Sequence, residues 1–221
     1  RYVESARGGI GRRNSSTRQL LDSGAPRVRC ARWQLETGGG VIAYSGTTEL
    51  CADRVFALQN SFELNGRISA YPETARGYSA GNCYLLKEGD RAMLLDTGYA
   101  VNEQDILDQL GKLIEPDTPL SLFPLRINEF MSVSNAMAIA KRFNVVECFS
   151  NVPDIEDWIE FETLRGEERS PVLKTTIIER GDYSRVALNA GRFFDVLNAP
   201  IRLISTRWIY DEASKTLFSS A

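Results

Sequence analysis

Short apolar runs, many of them β-branched or aromatic, recur from about Arg29 to the end of the sequence, parted by Gly, Asn and Asp. Runs of this length and make-up, bounded by turn-forming residues, predict strands. They fall at 28–34, 41–45, 48–58, 82–87, 91–96, 120–127, 144–149, 173–179, 184–188, 193–198, 201–210 and 215–219. Glu88-Gly89-Asp90 parts two of these runs and Asp211 to Lys215 parts two more; both spacers carry the residues that hairpin turns favour.

Two stretches change period. Residues 102–114 set Ile106, Leu107, Leu110, Leu113 and Ile114 on one helical face, with Asn102 placed to cap the start and acidic residues in the first turn. Residues 133–143 gather Ala136, Ile139, Ala140 and Phe143 and end on Lys141 and Arg142, which suit the negative end of a helix. A weaker helical pattern covers 154–163, where the acidic residues read as a solvated face because no calcium-loop spacing accompanies them. The order is strands, helix, strand, helix, strand, then mostly strands. It predicts an α/β (α+β) sandwich with mixed sheets rather than a doubly wound fold. Gly38-Gly39-Gly40 precedes no helical pattern and so is no dinucleotide fingerprint.

Charge divides the chain. Residues 1–30 hold seven arginines against Glu4 and Asp22, a local +5 that leaves −8 on the rest of a chain whose formal net charge is −3. Ser5 to Ser23 is rich in Gly, Ser and Arg without an apolar period, so residues 1–27 are expected to form a flexible basic arm and 28–221 the folded domain. Such an arm can hold nucleic acid or an acidic partner through phosphate-type contacts. No aromatic residue interleaves the arginines of Ser5 to Ser23, which speaks against base stacking. No run of 18 apolar residues exists, so no membrane helix is expected. Cysteines 30, 51, 83 and 148 lie far apart with no CxxC spacing, and free thiols point to a reducing, cytoplasmic setting. The chain has no histidine, which excludes Ser-His-Asp and Cys-His catalysis and every imidazole-held metal.

Four segments in order resemble the metallo-β-lactamase fold, closest to its flavodiiron and oxygen-binding diiron branch. The hairpin NCYLLKEGDRAMLLDTG, running into Asp-Thr-Gly, is the most specific; upstream, ELCADRVFALQNSFELNG resembles the opening sheet. PLSLFPLRINEFMSVSNAMAIAKRF is similar to the strand, ligand loop and helix that follow. ERGDYSRVALNAGRFFDVLNAPIRLISTRWIYDEASKTLFSS is similar to the third ligand region and the strand before the bridging aspartate. The resemblance spans roughly 48–221 and implies a metallo-β-lactamase-like αββα sandwich of two mixed sheets. It implies further strand and helix after Ala221, so this is either a short member or a domain incomplete at its C-terminus.

The same resemblance implies a ligand loop of the form His-x-Glu-x-Asp-His. A gapless placement puts Ile127, Asn128, Glu129, Phe130, Met131 and Ser132 there, so only the glutamate survives. A later ligand position falls near Arg202 and the bridging one at Ala221. Ile and Met are poor ligands for iron or zinc. No cofactor is therefore expected, iron or zinc least of all, and no residue is assigned to a metal.

Glu129 and Asp96 are the candidate catalytic carboxylates, and Arg126, Ser132 and Arg202 the candidate ligand-binding residues. Each has a plainer reading: Glu129 satisfied by Arg126 or a backbone amide, Asp96 a local turn former, and Ser132 and Ser134 caps of the next helix. Tyr71 to Tyr78 with Arg76 line either the mouth of the cleft or a surface loop. The favoured reading is a pseudoenzyme that binds a small ligand in the vacated cleft, or a protein partner or a second copy of itself. The alternatives are an oxidoreductase or hydrolase with a rebuilt active site, and nucleic-acid or acidic-partner binding through the arm.

Overall fold

The computed structural model describes residues 44–66, 71–127, 129–152, 155, 159, 174–178, 181, 183–200 and 206–219. Two sheets form. The first runs β1 (Ser45–Cys51), β2 (Val55–Glu63), β3 (Tyr78–Glu88), β4 (Arg91–Leu95), β5 (Leu120–Phe123), β6 (Val145–Ser150) and β7 (Thr175–Ile177), side by side in sequence order. Pairing is antiparallel from β1 to β4 and parallel from β4 to β7. The switch follows from the connections. Tight turns join β1 to β2 and β3 to β4, whereas α1 (Glu103–Gly111) carries the chain from β4 to β5, and α2 (Phe130–Val133) with α3 (Ala136–Arg142) from β5 to β6. The second sheet comprises β8 (Tyr183–Ala187), β9 (Phe193–Asn198), β10 (Arg207–Asp211) and β11 (Thr216–Ser219), in the order β11-β10-β9-β8. It corrects one expectation: its described pairs are all antiparallel, because each strand folds back on its sequence neighbour and no helix intervenes.

The predicted strand 48–58 is two strands. Asp53 takes a left-handed φ of 55° and Arg54 N–H closes onto Cys51 C=O at 3.0 Å, so β1 and β2 form a hairpin. Aspartate tolerates that conformation better than most residues, and here its N–H is also held by Glu49 Oε1 at 2.6 Å. The spacers at Gly89 and at Lys215 turn as the sequence requires, with φ of 61° and 55°.

Alternation along the central strands splits the interior into two cores. Cys83, Leu85, Ala92 and Leu94 face α1 and α3, where Ile106, Leu110 and Ile139 meet them. Leu86, Met93, Leu95 and Phe123 face the other way, onto Phe194, Val196, Ile209 and Phe218 of the second sheet. Strands covered on both faces read as continuous apolar runs, which is how β4 and β5 are written. Ile155 and Ile159, from the weak helical pattern, are helical and pack into the first core. Predicted segments 28–34 and 41–43 and the arm 1–27 lie outside the described residues.

One buried ion pair ties the layers. Arg192 donates to Asp211 at 2.5 Å and to the carbonyl of Lys87 at 2.5 Å, and its guanidinium lies over Phe194, 5.3 Å from the ring centre.

Candidate functional site

In open α/β sheets the crevice beyond the carboxyl ends of the parallel strands is where ligands bind. Asp96 stands there, directly after β4, with a left-handed φ of 59°. Its N–H bonds Phe123 C=O at 3.1 Å, and its carboxylate accepts the Leu125 N–H at 2.8 Å. The Ser132 hydroxyl also bonds that carboxylate, while Ser132 Oγ accepts the Arg126 N–H at 3.2 Å. Arg126 in turn forms an ion pair with Glu129. Asp96, Arg126, Glu129 and Ser132 are thus brought together around the loop that follows β5.

The supporting residues explain why the loop holds. Met131 C=O receives the N–H groups of Thr97 at 3.2 Å and Gly98 at 2.7 Å. Buried Asn135 spreads its amide N–H over the carbonyls of Thr97, Gly98 and Tyr99 at 2.8, 3.2 and 3.1 Å. Gly98 has a φ of 78°, and a Cβ there would sit 2.3 Å from Ile106 Cδ1, so no other residue fits without a shift. The loop is also hooked to the second sheet: Arg126 bridges to Thr206, and Arg207 N–H donates to Leu125 C=O at 2.8 Å. The site therefore lies where the two sheets meet. Thr206 is buried, and its hydroxyl has no hydrogen-bond partner among the described residues.

Burial and charge tune these groups. Asp96 is pushed up to about 6 by desolvation, with the Ser132 and Leu125 hydrogen bonds and the Arg126 charge opposing the rise. Tyr99 is raised by burial and by Tyr71, and Arg126 pulls it back. Tyr99 and Tyr71 both pack edge-on against Phe62, at 4.8 and 6.1 Å between ring centres, and Tyr71 shares a 2.5 Å hydrogen bond with Ser79. Arg76 turns instead to the carbonyls of Glu73 and Ala75, at 2.7 and 2.8 Å.

Several expectations change. Asp96 does not form a local turn; it caps the loop beginning 29 residues later. Neither serine caps the following helix: the residue before α3 is Asn135, and Ser132 lies within α2. Cys83 and Cys148 are buried, the latter pushed up to about 12 by desolvation and then by Glu147, whereas Cys51 is only half-buried on an edge strand. Arg202 and Asn128 lie outside the described residues. Thr97, Asn135 and Thr206 were not singled out from sequence, because nothing in a lone Thr or Asn marks a partner tens of residues away.

No family model matches the sequence, and no curated protein is similar to it. Solved structures do match. A flavo di-iron protein variant from Thermotoga maritima superposes with a TM-score of 0.60 and 18% identity over 80% of this chain and 42% of its own. Rubredoxin oxygen:oxidoreductase from Desulfovibrio gigas gives 0.59 and 16% over 79% and 40%. A metal-soaked flavodiiron core from Synechocystis gives 0.58 and 12% over 80% and 42%. The fold is that of the metallo-β-lactamase-like core of flavodiiron proteins, and the chain spans about two-fifths of the length of these neighbours.

These neighbours correct the expectation that no cofactor is involved. Two of their names carry iron and flavin, so this fold is one on which cofactors occur, and missing histidine alone cannot carry the opposite claim. The donors described here do not fit a di-iron centre of the imidazole type. No group of three His, Cys, Asp or Glu converges among the described residues, Ile127 is buried in the first core, and the Asp96 carboxylate is engaged by Leu125 and Ser132.

Proposed function

We propose that the chain is a diverged flavodiiron-like domain that uses the crevice between its sheets to bind a small polar ligand rather than to turn one over. The single observation that carries this is the Thr206 hydroxyl, buried beside the Arg126 bridge with no partner among the described residues. Buried hydroxyls are almost always bonded, so one left open among the described residues calls for a further partner, and a bound ligand is the partner proposed here. The polar groups around it are spent on holding one another: Asp96 on Leu125 and Ser132, and Glu129 on Arg126. A base so engaged is poorly placed to take a proton from a substrate, whereas a rigid polar rim is what recognition requires.

Thr206→Val is isosteric and removes only the hydroxyl. We expect it to leave the melting temperature of the free chain unchanged or higher. It should weaken by about ten-fold the binding of whichever probe stabilises the wild type, one hydrogen bond being worth ~1.4 kcal/mol. The probes are ferrous iron, a flavin, and panels of small carboxylates and phosphates, read by thermal shift. Turnover of any of them that disappears in Glu129→Gln would replace this reading with an enzyme.

A further inference from the structure

The acceptors of the loop after β5 are already engaged. The carbonyls of Leu125, Arg126, Glu129 and Phe130 receive the N–H groups of Arg207, Glu129, Ser132 and Ser134 at 2.8 to 2.9 Å, and Met131 C=O receives two. The Asp96 carboxylate accepts from Leu125 and Ser132. The donor side differs. Opposed residues of an antiparallel pair put their side chains on one face. The Arg126–Thr206 bridge therefore sets the Arg126 side chain and the Thr206 hydroxyl on the same side, and that hydroxyl is buried without a partner among the described residues. Leu125, one residue earlier, faces the opposite way into the second core. A ligand that brings acceptors fits this side better than one that brings donors.

Charge narrows the class. The Arg126 side chain is only 8% exposed, and a guanidinium so covered favours a carboxylate against it. Glu129 supplies that carboxylate from three residues away, yet its own side chain is 31% open to solvent. A local ion pair with one partner in water contributes little. An incoming carboxylate can take over the contact as Glu129 turns outward, and the two-pronged geometry that Arg offers suits it. Arg207 alternates with Ile209 of the second core, so it faces the other way and adds no second charge beside Arg126. A single guanidinium matches a monoanion better than a phosphate. The rim is aromatic. Tyr99 follows Gly98, whose N–H is tied to Met131 of the loop at 2.7 Å, and Tyr99 and Tyr71 pack on Phe62. Half-buried rings beside a few polar groups suit an organic body. Resting on the reading of this crevice as a binding site, we propose that its ligand is a small organic carboxylate held by Arg126 and Thr206, and that Glu129 is the internal carboxylate it displaces.

The test is calorimetric titration of the full chain with benzoate, its neutral isostere benzamide, and inorganic phosphate. We expect benzoate to bind at least about ten-fold more tightly than the other two, because they lack either the charge or the organic body that the site takes. Glu129→Gln keeps the shape of the side chain and removes its charge. An occupied site lowers apparent affinity by the fraction that is free, so this variant should bind benzoate at least about five-fold more tightly and leave benzamide within about two-fold. A merely structural Glu129 would move neither probe, or weaken both. Thr206→Val should weaken benzoate about ten-fold. Circular dichroism checks the fold of each variant, and Glu129→Ala repeats the measurement should Glu129→Gln fail to fold. Benzamide bound as well as benzoate, with both weakened in Thr206→Val, overturns the carboxylate and leaves the crevice a binding site. Phosphate preferred over benzoate does the same. Benzoate binding untouched or weakened by Glu129→Gln overturns the displacement. No binding of any probe to the wild type or to Glu129→Gln, up to the solubility of benzoate, overturns the proposal, and binding indifferent to Thr206→Val overturns the crevice reading with it.

Discussion

The carboxyl of Asp96 keeps its proton to a higher pH than a free one, its pKa rising from 3.8 to about 6. The native side chain binds that proton more tightly than the unfolded chain does. Its contribution to stability is therefore full below about pH 4 and lost as pH rises through about 6, a change of about 3 kcal/mol. Urea unfolding should show the midpoint falling across that window, and Asp96→Asn, which cannot ionise, should flatten the fall. An unchanged slope in the variant would assign the titration to another group. Ser132 is the second hinge of this network. Ser132→Ala leaves the Arg126 N–H without its acceptor and Asp96 with only the Leu125 N–H as a donor, in a fully buried place. Stranding such groups costs about 1–3 kcal/mol, which equilibrium unfolding at pH 7 would register.

Among elements, those whose order comes from local pattern were legible and those whose order comes from distant partners were not. The hairpins at Gly89 and at 211–215, the strand Phe193–Asn198 and the apolar face of α1 all follow from neighbours in sequence. The split at Asp53 was hidden because Val55 to Leu58 continues the apolar run without a Gly or Pro to mark the break. At the site, the loop holding Glu129 and Ser132 was located by the segment that follows β5, but its clamp was not. Asp96 acts on Leu125, and Asn135 on residues 97–99, through contacts that only the sheet creates. The same holds for Arg192 and Asp211, whose side chains are 1% and 0% exposed. Removing one partner of a buried pair strands the other charge, so Arg192→Ala should cost about 3–5 kcal/mol. The double change Arg192→Met with Asp211→Leu should recover most of that loss, because a well-packed apolar pair avoids the desolvation cost. A double as unstable as the single would make the charges themselves essential, through Lys87 and Glu88.

Across the whole molecule, the two cores are unequal in what they secure. Strands β3, β4 and β5 are buried from both sides, with Leu85, Leu94, Leu95, Leu120 and Leu122 at 0% exposure. The second sheet is buried from one side only among the described residues. Stability in a folded chain is distributed by such differences, and the least covered units open first. Amide exchange should therefore be slowest in β4 and β5 and at least ten-fold faster in β8 and β11, the two edges of the second sheet, a gap of ~1.4 kcal/mol. Equal exchange in the two sheets would instead mean that the layers open together, as one cooperative unit.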